Sequence, residues 1–258
     1  MHIETLGSGP SLVLLHGWAL HGGVFAPLVQ RLSDRYTLHL VDLPGHGFSR
    51  DSEVPLTLDA TVTAILVRTP PAAWLAWSLG GLFALHAAAS SSQVRGLAMI
   101  AATPRFVRDG DWPHAVERRV FAQFGDDLRN DYAGTLERFL ALDTMGSEHA
   151  RSELRTLKHD LYARGEPAPE ALQQGLHLLE QSDLRATLPA LSVPTLWLAG
   201  RRDLLVPAKA MQASAAVTPQ ATFVEIAGGG HAPFLGHADR VAADVDRFMQ
   251  ALPLGATA

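Results

Sequence analysis

The sequence predicts an α/β fold: a mostly parallel central sheet flanked by helices, with a helical insertion before its last strands. Three observations predict it. Short apolar runs recur along the chain, and most are nearly continuous rather than alternating, as in strands covered on both faces. Segments of helical character separate them, which implies right-handed crossovers within one sheet. Finally, the alternation stops between about Pro104 and Pro189, where the sequence is charged, helical and free of strand-like runs.

The apolar runs are LVLL (12–15), LHLV (38–41), AWLAW (73–77), LAMIAA (97–102), TLWLA (195–199) and TFVEI (222–226). Leu58 to Val67, Leu82 to Ala89 and Ala208 to Ala216 read as helices between them, and RVAADVDRFMQAL reads as an amphipathic closing helix. The expected division is a core of residues 1–103 and 190–258 and a cap of residues 104–189.

Composition narrows the function classes. The chain has 258 residues, 47% of them apolar and 18% charged, with a formal net charge of −5. That charge argues against nucleic acid as a partner. There is no cysteine, hence no disulfide framework and no thiolate chemistry, which suits a reducing cytoplasm. Neither a signal peptide nor an apolar run near the roughly 18 residues of a membrane span is expected. The twelve histidines are scattered, without an HExxH pattern, so no metal or other cofactor is expected.

The candidate chemistry begins at WSLGG. A strand ending near Trp77, then Ser78, then a helix opening around Gly81 describes a sharp turn. Such a turn lifts a hydroxyl out of the sheet beside helix N–H groups. The usual motif is G-x-S-x-G, and here Ala76 stands at its first glycine. Taken alone, Ser78 also fits a helix cap. A serine nucleophile needs a base, and the base needs an orienting carboxylate, in the chain order acid then histidine. Asp203 in TLWLAGRRDLLVP and His231 in TFVEIAGGGHAPF each follow a strand in that order. Singly, Asp203 reads equally as a cap of the helix after Pro207, and His231 as a surface-loop histidine.

In VLLHGWAL the N–H of Trp18 follows an early strand. It can converge with the N–H of Leu79 on one oxygen as an oxyanion hole, or else Trp18 is simply core. His46 in VDLPGHGFS reads as scaffold. Within the insertion, Arg151, Arg155 and Lys158 share one helix face, which reads as a cationic docking surface or as a solvated face paired to Glu148 and Glu153. Phe121, Phe124 and Phe139 read as cap core or as site lining.

HGW, DLPGHGFS, WSLGG, the helical insertion, the GRRD loop and GGGHAPF together resemble the α/β-hydrolase superfamily along nearly the whole chain. Within it, LLHGWAL, DWP, ERFLALDTMG and HAPF are most similar to the pimeloyl-acyl carrier protein methyl ester esterases of biotin synthesis, the BioH family. The resemblance implies an α/β-hydrolase fold with Ser78, Asp203 and His231 as a catalytic triad and Trp18 and Leu79 as oxyanion donors. Phe139, Leu140, Ala141, Leu142 and Asp143 would border the acyl chain, and Arg138, Arg151 and Arg155 would meet an acidic acyl carrier protein. Asp143 stands where the family pattern leads one to expect glutamine. A cytoplasmic, monomeric esterase without cofactor is the expectation. A general short-chain carboxylesterase, a C–C bond hydrolase and a non-catalytic ligand receptor on the same scaffold remain alternatives. Dehalogenases are disfavoured, because they carry a carboxylate at the position of Ser78.

Overall fold

The computed structural model describes residues 1–253. In chain order the strands are β1 (Ile3–Gly7), β2 (Ser11–Leu15), β3 (Thr37–Val41), β4 (Ala72–Trp77), β5 (Val94–Ile100), β6 (Thr195–Gly200) and β7 (Ala221–Ile226). The helices are α1 (Ala26–Leu32), α2 (Leu58–Leu66), α3 (Gly80–Ser90), α4 (Arg118–Asn130), α5 (Tyr132–Thr144), α6 (Ala150–Ala163), α7 (Pro169–Gln181), α8 (Ala208–Val217), α9 (Pro233–Gly236) and α10 (Ala238–Ala251).

The seven strands form one sheet in the order β1-β3-β2-β4-β5-β6-β7. Only β1 runs antiparallel, against β3; every other pairing is parallel. All six strands expected from apolar runs are present. The central β4 and β6 are buried at every position, which is why AAWLAW and TLWLAG show no polar alternation. β1 has no such signature: IETLG lies at the sheet edge, partly or fully exposed throughout.

α1 packs on α10 and α2 on α3. Thr57 caps α2, its hydroxyl accepting from the N–H of Ala60. Residues between β5 and β6 supply α4 to α7. Each buries one stripe, as in α4 with Phe121, Gly125 and Leu128. α4 packs on α5 and α7, α5 on α6, and α6 on α9, so the helical segment closes back onto the rest of the chain. It opens with more than helix: Val107 bridges Val116 and Asp109 bridges Trp112 in a small extended loop. Among the described residues no helix is long and apolar enough to cross a membrane.

Candidate active site

Ser78 follows β4 directly and has φ +52°, a left-handed conformation rare for a residue with a side chain. Strain of this kind costs on the order of 1–3 kcal/mol and persists only where neighbours enforce it. Here they do. The Ser78 N–H donates to Ile100 O at 3.1 Å, and its carbonyl accepts from the Gly81 N–H at 2.9 Å. Gly80 is required by close approach: a Cβ there would lie 2.5 Å from the carbonyl oxygen of Leu15. Thus the loop after β2 is pressed against the first turn of α3. Ala76 is accommodated because it is still strand, paired with Leu15 on one side and Met99 on the other.

The loops after β6 and β7 bring two more groups to this point. The Ser78 hydroxyl lies 2.8 Å from His231 Nε2, and His231 Nδ1 lies 2.8 Å from Asp203 Oδ2. With Asp203 ionised, Nδ1 carries the imidazole proton and Nε2 accepts from the hydroxyl. Asp203 is oriented by its other oxygen, which accepts from the N–H groups of Leu205 and Val206 at 2.8 and 2.9 Å. That carboxylate therefore organises its own loop rather than capping α8. The His231 carbonyl accepts from the Trp77 indole N–H at 2.8 Å, and its own N–H donates to the carbonyl of Asp143 at 3.2 Å. All three side chains are buried. Burial by itself lowers the basicity of His231, but the charge and hydrogen bond of Asp203 outweigh it, and the pKa is raised.

Leu79 follows the serine directly, and Gly17, which precedes Trp18, packs on it: a Cβ at Gly17 would lie 3.2 Å from Ser78 Cβ. Among the described residues neither the Trp18 nor the Leu79 N–H is spent on a backbone acceptor in a turn or loop. His16, which sequence reasoning passed over, fixes the Trp18 loop. Its Nε2 accepts from the Leu43 N–H at 2.9 Å, and its Nδ1–H donates to Gly17 O at 2.7 Å. Burial holds its pKa well below the usual value, so this clamp is a neutral imidazole. His46 is likewise buried, and desolvation lowers its pKa to about 4, as befits scaffold.

The Trp18 side chain points into the helical segment. Its indole donates to Leu172 O at 2.9 Å, and its ring lies 4.5 Å from that of Phe139 and 6.5 Å from that of Phe124. Phe139 and Leu140 are buried, while Ala141 and Leu142 are half-buried. Asp143 is fully buried, and neither carboxylate oxygen has a hydrogen-bond partner. A groove of about 370 Å³ between α4 and α5, lined by Arg119, Val120, Gln123, Phe124, Asp127 and Arg138, opens on the outer side of these aromatics.

Of the basic residues, Arg138 is already paired, with Asp131 at 3.0 Å and Asp127 at 3.4 Å. Arg151 and Arg155 are exposed, and among the described residues neither is ion-paired. The expected alternative of pairing to Glu148 and Glu153 does not occur: Glu153 is buried and accepts from Ser147, and Glu148 faces His149 and His237. Those last three bring potential ligand atoms within 4.8 Å of one another, a grouping invisible in sequence because His237 is remote from the other two.

Comparisons with known proteins give the family. The family described as alpha/beta hydrolase fold matches residues 10–238. The pimeloyl-[acyl-carrier protein] methyl ester esterase of Xanthomonas axonopodis pv. citri (strain 306) is 69% identical over 253 residues, covering 98% of this chain and 100% of that protein. The protein of the same name from Stenotrophomonas maltophilia (strain K279a) is 66% identical over 252 residues, covering 98% and 97%. The chain belongs to the α/β-hydrolase family of the pimeloyl-[acyl-carrier protein] methyl ester esterases. Among solved structures, an esterase from Exiguobacterium antarcticum superposes on this α/β-hydrolase with a TM-score of 0.87 at 22% identity, covering 97% of this chain and 95% of that one. A bromoperoxidase from Bacillus anthracis gives 0.85 at 20%, covering 96% and 94%. At those identities the likeness concerns the fold alone.

Proposed function

We propose that the chain is a serine carboxylesterase that hydrolyses the methyl ester of pimeloyl-acyl carrier protein in biotin biosynthesis, with Ser78 as nucleophile, His231 as base and Asp203 as orienting acid. The observation that carries this reading is the unbroken line of two 2.8 Å contacts, hydroxyl to imidazole to carboxylate, in a buried setting. The names of the relatives supply the substrate.

In the reaction, His231 Nε2 takes the hydroxyl proton as Ser78 Oγ attacks the ester carbonyl. The oxyanion is held by the N–H groups of Trp18 and Leu79, each such donor typically worth about 3 kcal/mol. The tetrahedral species collapses, and methanol leaves with the proton from His231. Water then attacks the acyl-enzyme with the same base, releasing the free acid and restoring Ser78. Asp203 keeps the imidazole in the reactive tautomer and offsets its charge at both steps.

Residues 104–189 act as a cap over this site. A long acyl chain would follow the groove between α4 and α5, whose Phe124 packs on Trp18 and Phe139, and Phe139 to Asp143 would border it on the side of the serine. A carrier-bound substrate would sit outside with Arg138, Arg151 and Arg155 nearby, cations that suit an acidic carrier. A cytoplasmic monomer requiring no cofactor is consistent with this chemistry. The test is Ser78→Ala assayed on the methyl ester of pimeloyl-acyl carrier protein. Turnover should fall by about 10⁵-fold or more, as when a catalytic serine is removed elsewhere, with the melting temperature retained. Full activity in that variant would end the proposal.

A further inference from the structure

A second buried acid lies on the turn that holds the His231 loop, and the catalytic cycle just described makes no use of it. Asp143 lies on the last turn of α5, on the same buried stripe as Phe139 and Leu140. Its main-chain carbonyl accepts the His231 N–H at 3.2 Å, so this turn and the histidine loop are fastened together. The side chain is wholly buried, yet neither oxygen finds a donor. The nearby hydroxyls are engaged elsewhere: Thr144 donates to Ala141 O and Ser147 to Glu153. Two charged groups act on the carboxyl through space, the His231 imidazole and the Asp203 carboxylate. Arg202, whose main chain packs on Gly146 next to this turn, is exposed and leaves the carboxyl without a cation.

An orphaned carboxyl is costly. Leaving a buried polar group unsatisfied typically costs on the order of 1–3 kcal/mol, and a leucine would fill the space without that penalty. Its place on the turn fastened to the His231 loop offers a reason for an acid here.

We propose that Asp143 is a positioning residue that sets the basicity of His231, its carboxylate adding a second negative charge to the one Asp203 supplies. This rests on the hydrolytic reading above. Burial, reinforced by the Asp203 charge, pushes the Asp143 pKa up to about 7, while His231 pulls it down. The carboxyl therefore changes charge near pH 7, where its charge can act on the imidazole. Each charge favours the other: loss of the Asp143 proton makes His231 hold its own more tightly. An esterase of this type is active when the imidazole is neutral, so kcat/KM rises as pH passes through the His231 pKa. Ionised Asp143 moves that rise to higher pH and, in exchange, stabilises the imidazolium that forms during attack.

The experiment compares wild type with Asp143→Asn, Asp143→Leu and Asp143→Glu. In Asp143→Asn the rise of kcat/KM should shift to lower pH by about half a unit or more, as expected when a nearby opposite charge is lost. Asp143→Leu should shift it the same way and serves if the asparagine variant does not fold. Asp143→Glu should restore the wild-type position. A merely structural role would lower activity evenly and leave the rise where it was. In parallel, the His231 ring is titrated by NMR in the Ser78→Ala protein with and without Asp143→Asn, and its pKa should fall. That arm needs no turnover, so it stands even if the assignment of Ser78 as nucleophile fails. An unmoved imidazole pKa, or an unmoved kinetic rise in a folded variant, overturns the proposal.

Discussion

The loops at the carboxyl ends of β4, β6 and β7 and the helical segment 104–189 border the same space but are built differently. In the loops each member of the proposed triad is tied to another member or to backbone. Ser78 is fixed by its own strained turn, Asp203 by two N–H groups, and His231 by Trp77, Asp143 and the other two. In the helical segment the groups nearest the site pack by their rings, as Phe139 does on Trp18 of the loop after β2, or are polar and unpartnered, as is Asp143. Backbone geometry holds the chemistry, and side-chain packing shapes what reaches it. Changes in the loops should therefore be all-or-none, and changes in the helical segment graded and substrate-dependent.

The largest departure should come from the tightest backbone contact. Gly80→Val would place a branched side chain where even a Cβ meets Leu15 O at 2.5 Å and His16 O at 2.8 Å. Both obstacles are main chain and cannot rotate away. Loss of more than about 3 kcal/mol is expected, with the serine displaced from His231. Denaturant unfolding and ester hydrolysis measure the two effects. A variant of near-normal stability and activity would mean that the turn is far more compliant than its geometry implies.

The tether between the regions comes next. Arg164, just beyond α6, pairs with Asp42 at 3.2 Å and with Glu4, and its guanidinium lies 4.9 Å from the Phe48 ring. Asp42 is wholly buried but keeps two further donors, the N–H groups of Gly22 and Phe48 at 2.7 and 2.9 Å. Arg164→Ala should accordingly cost about 2 kcal/mol, less than the 3–5 typical of stripping a buried charge of its partner. Limited proteolysis should then cut between α6 and α7 sooner than in wild type. Unchanged cleavage would show that the helical segment is held by Trp18 and its aromatic neighbours without the ion pair.

Asp143 adds a stability effect whose sign is opposite. A carboxyl with its pKa raised to about 7 stays protonated in the native chain while the unfolded chain has lost that proton from about pH 4 upward. The unfolded state then binds fewer protons, so native stability falls as pH climbs from about 4 to about 7 and levels off beyond. Asp143→Asn removes that loss. Its melting temperature relative to wild type should therefore rise between pH 5 and pH 8, by a few degrees at most. A constant difference across that range would mean that the native carboxyl titrates normally.

The same contrast governs what could be read in the sequence. The strands of the core were legible because burial on both faces removes polar alternation, as in AAWLAW and TLWLAG. β1 was not, since an exposed edge strand carries no such mark. Ser78, Asp203 and His231 announce themselves by following strands among glycines, because the backbone must bend sharply there. His16 gave no signal separable from the glycine and tryptophan beside it, though it clamps their loop. The orphaned state of Asp143 was illegible, as it depends on which hydroxyls of its neighbours are already engaged. The pairing of Arg138 was equally hidden. Its partners Asp127 and Asp131 lie eleven and seven residues away, across the junction of α4 and α5.

That pairing leads to the smallest effect. A guanidinium already offset by two carboxylates presents little net charge to a partner, whereas Arg151 and Arg155 on α6 stand exposed. Exposed charges contribute about 0–1 kcal/mol each, and at an interface they act mainly on the rate of encounter. Changing Arg151 and Arg155 together to Ala should lower kcat/KM for carrier-linked ester by about three- to tenfold at low salt, shrinking toward parity at about 0.5 M as screening takes over. Arg138→Ala should lower it by less than about twofold. A small soluble methyl ester should be hydrolysed alike by all three proteins. If Arg138→Ala instead proves the more damaging on the carrier-linked substrate, then Asp127 and Asp131 must release it on docking, and the α4–α5 junction rather than α6 is where the carrier rests.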